Sequence, residues 1–156
     1  MSQSAESSFV YVTFIRTTPE KLWSALTDAK QMKEYWLGMQ VKAEWKKGAE
    51  WQMVFPDGRV ADTGQILELE RPKRIRLKWR NEFKPELKAE GFTFCTFEIE
   101  PVGNAVKLTI THTIERTDSK FIQAVSGGWP MILSNLKSLL ETGDVALREE
   151  DHSHAR

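Results

Sequence analysis

The chain is predicted to be an α+β protein: a curved antiparallel sheet wraps around one long C-terminal helix, with two short helices after the first strand. Three observations predict this. Apolar and polar residues alternate with period two through the middle of the chain, the pattern of strands with one dry and one wet face. One long helical stripe, Trp129, Leu133, Leu136 and Leu140, comes only after those strands, widened by Ile132 and Leu139. A helix-start signal, Thr18-Pro19, follows the first strand. A one-faced sheet covered by a single helix tends to leave a pocket between the two layers.

The elements follow in order. The first strand is Phe9–Arg16. Thr18 is a suitable N-cap with Pro19 in the first helical position, and Leu22, Trp23 and Leu26 form a stripe, so residues 19–27 are expected to be helical. Asp28 caps a second short helix with Gln31 at the capping-box offset; Met32, Tyr35 and Trp36 are its buried edge, and Gly38 ends it. Val41, Ala43 and Trp45 then alternate with charged residues, and Trp51, Met53 and Phe55 run into Pro56-Asp57-Gly58, a turn whose glycine can take positive φ. Asp62-Thr63-Gly64 reads as a strand distortion near a bulge glycine, although Asp62 can also face a cavity. Ile75, Leu77 and Trp79 form the dry face of one strand, and Val106, Leu108, Ile110, His112 and Ile114 that of another. The last helix stops at Gly143; residues 119–125 are expected to be helical as well, with a kink or interruption at Gly127-Gly128 and Pro130.

Composition bounds the function. A chain of 156 residues can bury about two-thirds of its unfolded surface and needs no staple, so 8–143 is read as a single domain with flexible termini at 1–7 and 144–156. The lone Cys95 excludes an intrachain disulfide, and no apolar run is long enough for a signal or membrane span, so a cytoplasmic protein without membrane insertion is expected. Balanced charge, 22 basic against 22 acidic residues, argues against nucleic acid as a partner. Basic residues do gather between Arg71 and Lys88, at Lys73, Arg74, Arg76, Lys78, Arg80 and Lys84. Their alternation in Arg74–Arg80 fits the solvated face of a half-buried strand better than a polyanion site.

Several motifs in order, Pro19-Glu20-Lys21-Leu22-Trp23-Ser24-Ala25-Leu26-Thr27, Tyr35-Trp36, Lys47-Gly48-Ala49, Asp57-Gly58, Gly64, Glu70-Arg71-Pro72 and Gly128-Trp129, resemble the START-like (SRPBCC, Bet v 1-like) superfamily. Within it the chain is most similar to the branch containing the C-terminal domain of the activator of heat-shock protein 90 ATPase, over residues 9–143. The resemblance implies a helix-grip fold with an elongated apolar cavity. It also implies a link to a chaperone and to stress response. Gly48-Ala49 stands where the branch often has paired glycines, and the eukaryotic activator's additional N-terminal domain is not expected here.

Six tryptophans, five methionines and eight phenylalanines are many for this length, and large rings on a concave sheet rarely pack without gaps. Trp51, Met53, Phe55, Trp79, Phe97, His112, Trp129 and Leu133 are the expected cavity-lining residues, from inward positions of middle strands and the facing helix. His112 is the notable polar member, able to orient a ligand or act as a base, though a core histidine satisfied by a local partner is the simpler reading. Cys95 can meet His112 across adjacent strands, but no third orienting group is visible and a small core residue is the simpler assignment. His152 and His154 in the acidic tail are not a metal site. No catalytic residue, cofactor or metal is assigned. The expected partner is an apolar small molecule or lipid, bound by a monomer or dimer; a chaperone-linked interaction protein and a cofactor-free cyclase or lyase are the alternatives.

Overall fold

A computed structural model describes residues 6–148. Its elements are β1 (Ser7–Ile15), α1 (Pro19–Thr27), α2 (Ala29–Tyr35), β2 (Gln40–Ala43), β3 (Glu50–Val54), β4 (Val60–Glu70), β5 (Arg74–Asn81), α3 (Pro85–Lys88), β6 (Thr93–Val102), β7 (Ala105–Ile114) and α4 (Lys120–Thr142). The seven strands form one curved antiparallel sheet in the order β1-β7-β6-β5-β4-β3-β2, gripped around α4 as expected. Short α3 carries no strong sequence signal except Pro85 in its first turn.

Local chemistry sets the helix ends. Thr18 Oγ1 accepts from the Lys21 amide at 3.2 Å, and Asp28 Oδ1 from the Lys30 amide at 3.0 Å. The capping box at α2 does not form: Gln31 turns its amide to Asp28 Oδ2 and to Ser24 Oγ instead. α4 runs unbroken from Lys120 to Thr142, so of the expected kink or interruption at Gly127-Gly128 and Pro130 the interruption does not occur. A mid-helix proline costs about 3 kcal/mol, and the burial of Phe121, Ile122, Trp129, Ile132, Leu133 and Leu136 against the sheet offsets it.

Asn135 lies fully buried within that apolar stripe. Its Nδ2 donates to the carbonyls of Tyr35 (3.3 Å) and Leu147 (2.9 Å), and its Oδ1 accepts from the Leu147 amide at 2.7 Å. One side chain thus ties the end of α2 and the segment after α4 to the helix. Ser7 sits in β1, and the remainder of both termini expected to be flexible lies largely outside the described residues.

At the other end of α4, a carboxylate from the loop after α3 supplements the cap. Glu90 accepts from Ser119 Oγ at 2.5 Å and from the amides of Lys120 (2.8 Å) and Phe121 (3.4 Å), while Ser119 Oγ accepts from the Ile122 amide at 3.0 Å. Partial burial alone raises the pKa of Glu90, but these donors outweigh it and hold the carboxyl below its usual range.

In the sheet, Gly64 does not mark a bulge, and pairs regularly with Trp51 on one side and Trp79 on the other; the expected distortion falls at Asp62, where Met53 pairs with Asp62 but Val54 with Val60, and a second slip lies at Ile66/Glu68. A Cβ on Gly64 would stand 1.7 Å from the Lys78 carbonyl oxygen and 2.6 Å from Trp51 Nε1. The missing side chain lets the Trp51 indole cross β4 and donate to the Lys78 carbonyl at 3.1 Å.

Gly64→Ala is therefore expected to cost about 3 kcal/mol or more, since backbone must move, whereas Trp51→Phe, which keeps a ring and loses one hydrogen bond, should cost about 1–2 kcal/mol by chemical denaturation. Glu90→Ala should cost about 1–2 kcal/mol at neutral pH. Because the native pKa of Glu90 lies below its unfolded value, its contribution is complete above the unfolded value and fades as pH falls through the native one. Thermal unfolding of wild type and variant at pH 7 and pH 3 should show the gap closing at the lower pH.

Candidate functional site

His112 projects from β7 into the core and is fully buried. Its Nδ1 accepts from Trp129 Nε1 of α4 at 3.2 Å, and its Nε2 lies 2.8 Å from Thr93 Oγ1 of β6. The Thr93 hydroxyl donates to the Trp79 carbonyl of β5 at 2.9 Å. That hydroxyl proton being committed, Thr93 Oγ1 accepts from His112, which fixes the Nε2–H tautomer. Burial lowers the imidazole pKa to about 3, so the ring is neutral at physiological pH.

Around this chain the rings pack edge to face. Trp51 meets Trp79 at 4.9 Å and 74°, Trp129 meets Trp36 at 5.3 Å and 68°, and Phe97 meets Trp129 at 5.7 Å and 82°. The elongated cavity implied by the family resemblance is consequently largely filled. Two spaces border the Trp79 ring: a small void of about 20 Å³, and a cleft of about 180 Å³ between α3, the first half of α4 and the sheet.

The walls of the cleft are Trp36, Met39, Met53, Trp79, Leu87, Phe121, Val125, Trp129 and Ile132, with Gly128 on the helix side. Its polar lining residues are Asp62, Asn81 and Lys84. Asn81 Nδ2 donates to Asp62 Oδ1 at 3.3 Å, and Asn81 Oδ1 accepts from the Lys84 amide at 2.9 Å, which joins the end of β5 to the start of α3. Trp79 borders both the cleft and the void, and its buried indole N–H has no acceptor among the described residues.

Of the expected lining residues, Met53, Trp79 and Trp129 border the cleft, and Trp51, Met53, Trp79 and Phe97 border the small void. The other three border neither space: Phe55 packs on Phe83 at 4.9 Å, His112 is enclosed by its partners, and Leu133 is core. The contributions of α3 and of Phe121, Val125 and Ile132 were not anticipated. The spacing Phe121, Val125, Gly128, Ile132 carries the signal of a helical face, but the expected break at Pro130 concealed it.

Other candidates fall away on geometry. Cys95 lies opposite His112 in the β6–β7 register, but both ring nitrogens are engaged and burial pushes the thiol pKa up. The basic stretch is partly paired: Arg74 reaches Glu68 and Glu98, Arg80 and Lys88 share Glu82, and Arg71 reaches Glu20, while Arg76, Lys78 and Lys84 lie over the rings of Phe94, Phe92 and Phe83. No group of three His, Cys, Asp or Glu residues suited to a metal occurs among the described residues; His152 and His154 lie outside them. No described helix is long and apolar enough to cross a membrane.

Comparison with known structures gives the same architecture. A Mesorhizobium loti protein superposes with a TM-score of 0.76 at 23% identity, over 89% of this chain and 100% of the other. An Hsp90 activator from Plasmodium falciparum gives 0.70 at 23% identity, over 85% and 95%. The Aha1 dimer from Colwellia psychrerythraea gives 0.69 at 20% identity, over 88% and 98%. Among curated proteins none is similar enough to count as a match. The model of the family "activator of Hsp90 ATPase homolog 1-like protein" matches residues 16–141, and the chain belongs to that family.

Proposed function

We propose that this protein is a binding module for a small apolar molecule held in the cleft between α3, α4 and the sheet. The observation that carries this reading is the cleft itself: about 180 Å³ of unfilled space, walled by apolar and aromatic side chains with three polar ones among them. A cavity of about 150 Å³ takes a single benzene ring. The size supports one ring, or a fused pair with short substituents, and disfavours a long acyl chain, for which the packed tryptophans leave no channel.

A chaperone-linked role is the second reading, favoured by the family match and by a structural neighbour described as an Hsp90 activator. The basic strand face is partly neutralised by its own carboxylates, at Arg74 and Arg80. The edge strand β1 offers Val10, Val12 and Phe14, exposed by 57%, 44% and 51%. Cyclase or lyase chemistry has little support: an acid–base catalyst needs a titrating group within reach of substrate, and His112 is sealed and neutral.

A Cβ at Gly128 meets no atom within 4 Å, so a side chain there starts in open space on the helix side of the cleft. Native mass spectrometry of purified wild type should show a discrete small adduct, and Gly128→Leu should lose it while remaining folded. An adduct retained in Gly128→Leu would place the ligand elsewhere and sink the cleft reading. A second expectation concerns His112, whose native pKa lies below its unfolded value near 6.5. The unfolded state takes the proton first, so stability is full above about pH 6.5 and falls by about 1.4 kcal/mol per pH unit toward pH 3. Denaturation between pH 7 and 4.5 should show that slope diminished in His112→Leu, and the His112 ring signals in wild type should not titrate over the same range.

A further inference from the structure

β1 is an edge of the sheet, and nothing in its sequence discourages pairing. Its only strand neighbour is β7, in register over the whole of Ser7–Ile15 without a bulge. That segment holds no charged residue and no proline. Edge strands are ordinarily shielded by a lysine, a proline, a bulge, short length or a covering element. The opposite edge follows this rule: β2 spans only Gln40–Ala43, carries Lys42 and is packed by α2.

Two contacts with α4 show which backbone groups of β1 point outward. The Phe14 carbonyl accepts from Lys137 Nζ, and the Arg16 amide donates to Glu141, so even-numbered residues turn their backbone groups away from β7. α4 covers the end of the strand and leaves its start: Ile15 is buried, whereas Phe9 and Tyr11 are only partly so. The backbone N–H and C=O groups of Ser8, Val10 and Val12 therefore face the open edge, with no partner among the described residues. Beside them Val10, Val12 and Phe14 form an exposed apolar row on the wet face, next to Thr111, Thr109 and Lys107 of β7.

We propose that a second copy of this chain occupies this edge, β1 pairing antiparallel with its own copy across a two-fold axis at Val10. This register uses every free group. Val10 faces Val10 and Ser8 faces Val12, making three pairs that each exchange two hydrogen bonds, about six in all. Pairing Val10 with Val12 instead would bring Ser8 against Phe14 and displace Lys137 from the carbonyl it holds. A two-fold interface presents the same charges from both sides, so it is neutral or sets acid against base. β1 is neutral, and at each end Glu6 of one copy falls in the row of Phe14 and Lys107 of the other. On the dry face, the stacked Phe9 and Tyr11 rings (6.2 Å, 17°) of one copy meet Tyr11 and Phe9 of the other as close cross-strand aromatic pairs. An edge-to-edge contact is small, so association is expected at micromolar rather than nanomolar concentrations. None of the cleft's walls takes part.

Sedimentation velocity of wild type over a wide range of concentration should show one copy giving way to two. Val10→Lys sets two ammonium groups side by side on the axis and should weaken association about ten-fold or more, as should Val10→Glu. Both variants should keep the wild-type thermal midpoint in dilute solution, because Val10 is exposed and its backbone does not bond β7. An equal mixture of the two should regain the dimer, lysine now facing glutamate. A second readout needs no variant: amide hydrogen exchange at Ser8, Val10 and Val12 should slow as concentration rises. Wild type that stays monomeric, or that dimerises with those amides still exchanging freely, would overturn the proposal. So would a dimer undiminished in Val10→Lys, or a mixture that associates no better than either variant alone.

Discussion

The chain of hydrogen bonds running from Trp129 through His112 and Thr93 to the Trp79 carbonyl is the constraint on which the site depends. It has one permitted direction. A carbonyl can only accept, so Thr93 donates to it; the Thr93 oxygen then takes the His112 Nε2 proton, and Nδ1 is left to accept from Trp129. Each bond crosses to another element, from α4 to β7, β6 and β5. A second proton on His112 would set one donor against another at Nδ1, so geometry and burial both hold the ring neutral.

Fixing Trp129 in this way fixes the aromatic core. Its indole meets the edges of Trp36, Trp79 and Phe97, and such pairs contribute about 0.5–1.5 kcal/mol each beyond their buried area. Their interlocking consumes the length of cavity that a sheet gripping a helix would otherwise enclose. What survives lies toward the start of α4, where the opposite wall is the short α3 and Glu90, from the loop after α3, ties that loop to the start of α4.

Much of this architecture was legible in the sequence. The strand alternation, the Thr18 and Asp28 caps and the single late helical stripe each report a local, periodic constraint that tertiary structure left intact. The continuity of α4 was not legible, because whether a helix survives Pro130 depends on how much apolar surface the sheet covers, a non-local quantity. The site was half legible. Inward positions on the middle strands were read correctly, but which of those rings fill space and which border it depends on mutual packing. Asn135 and Glu90, whose partners lie 100 and 30 residues away in the chain, give no sequence signal of their roles.

Two glycines face the core layer for opposite reasons, and the contrast bears on function. At Gly64 no side chain fits: the Lys78 backbone and the Trp51 indole occupy the place of a Cβ, so folding alone accounts for the residue. At Gly128 a side chain would fit, with nothing within 4 Å of a Cβ. Glycine inside a helix costs about 1 kcal/mol against alanine, and α4 already carries Gly127 and Pro130. Packing therefore gives no reason for Gly128, and helix propensity argues against it. Its physical consequence is open volume on the helix side of the cleft, beside the Trp79 and Trp129 rings. A helix that forgoes stability where a larger residue would fit, on the wall of an open apolar cleft, is easier to reconcile with a site that admits a guest than with a scaffold optimised for packing alone.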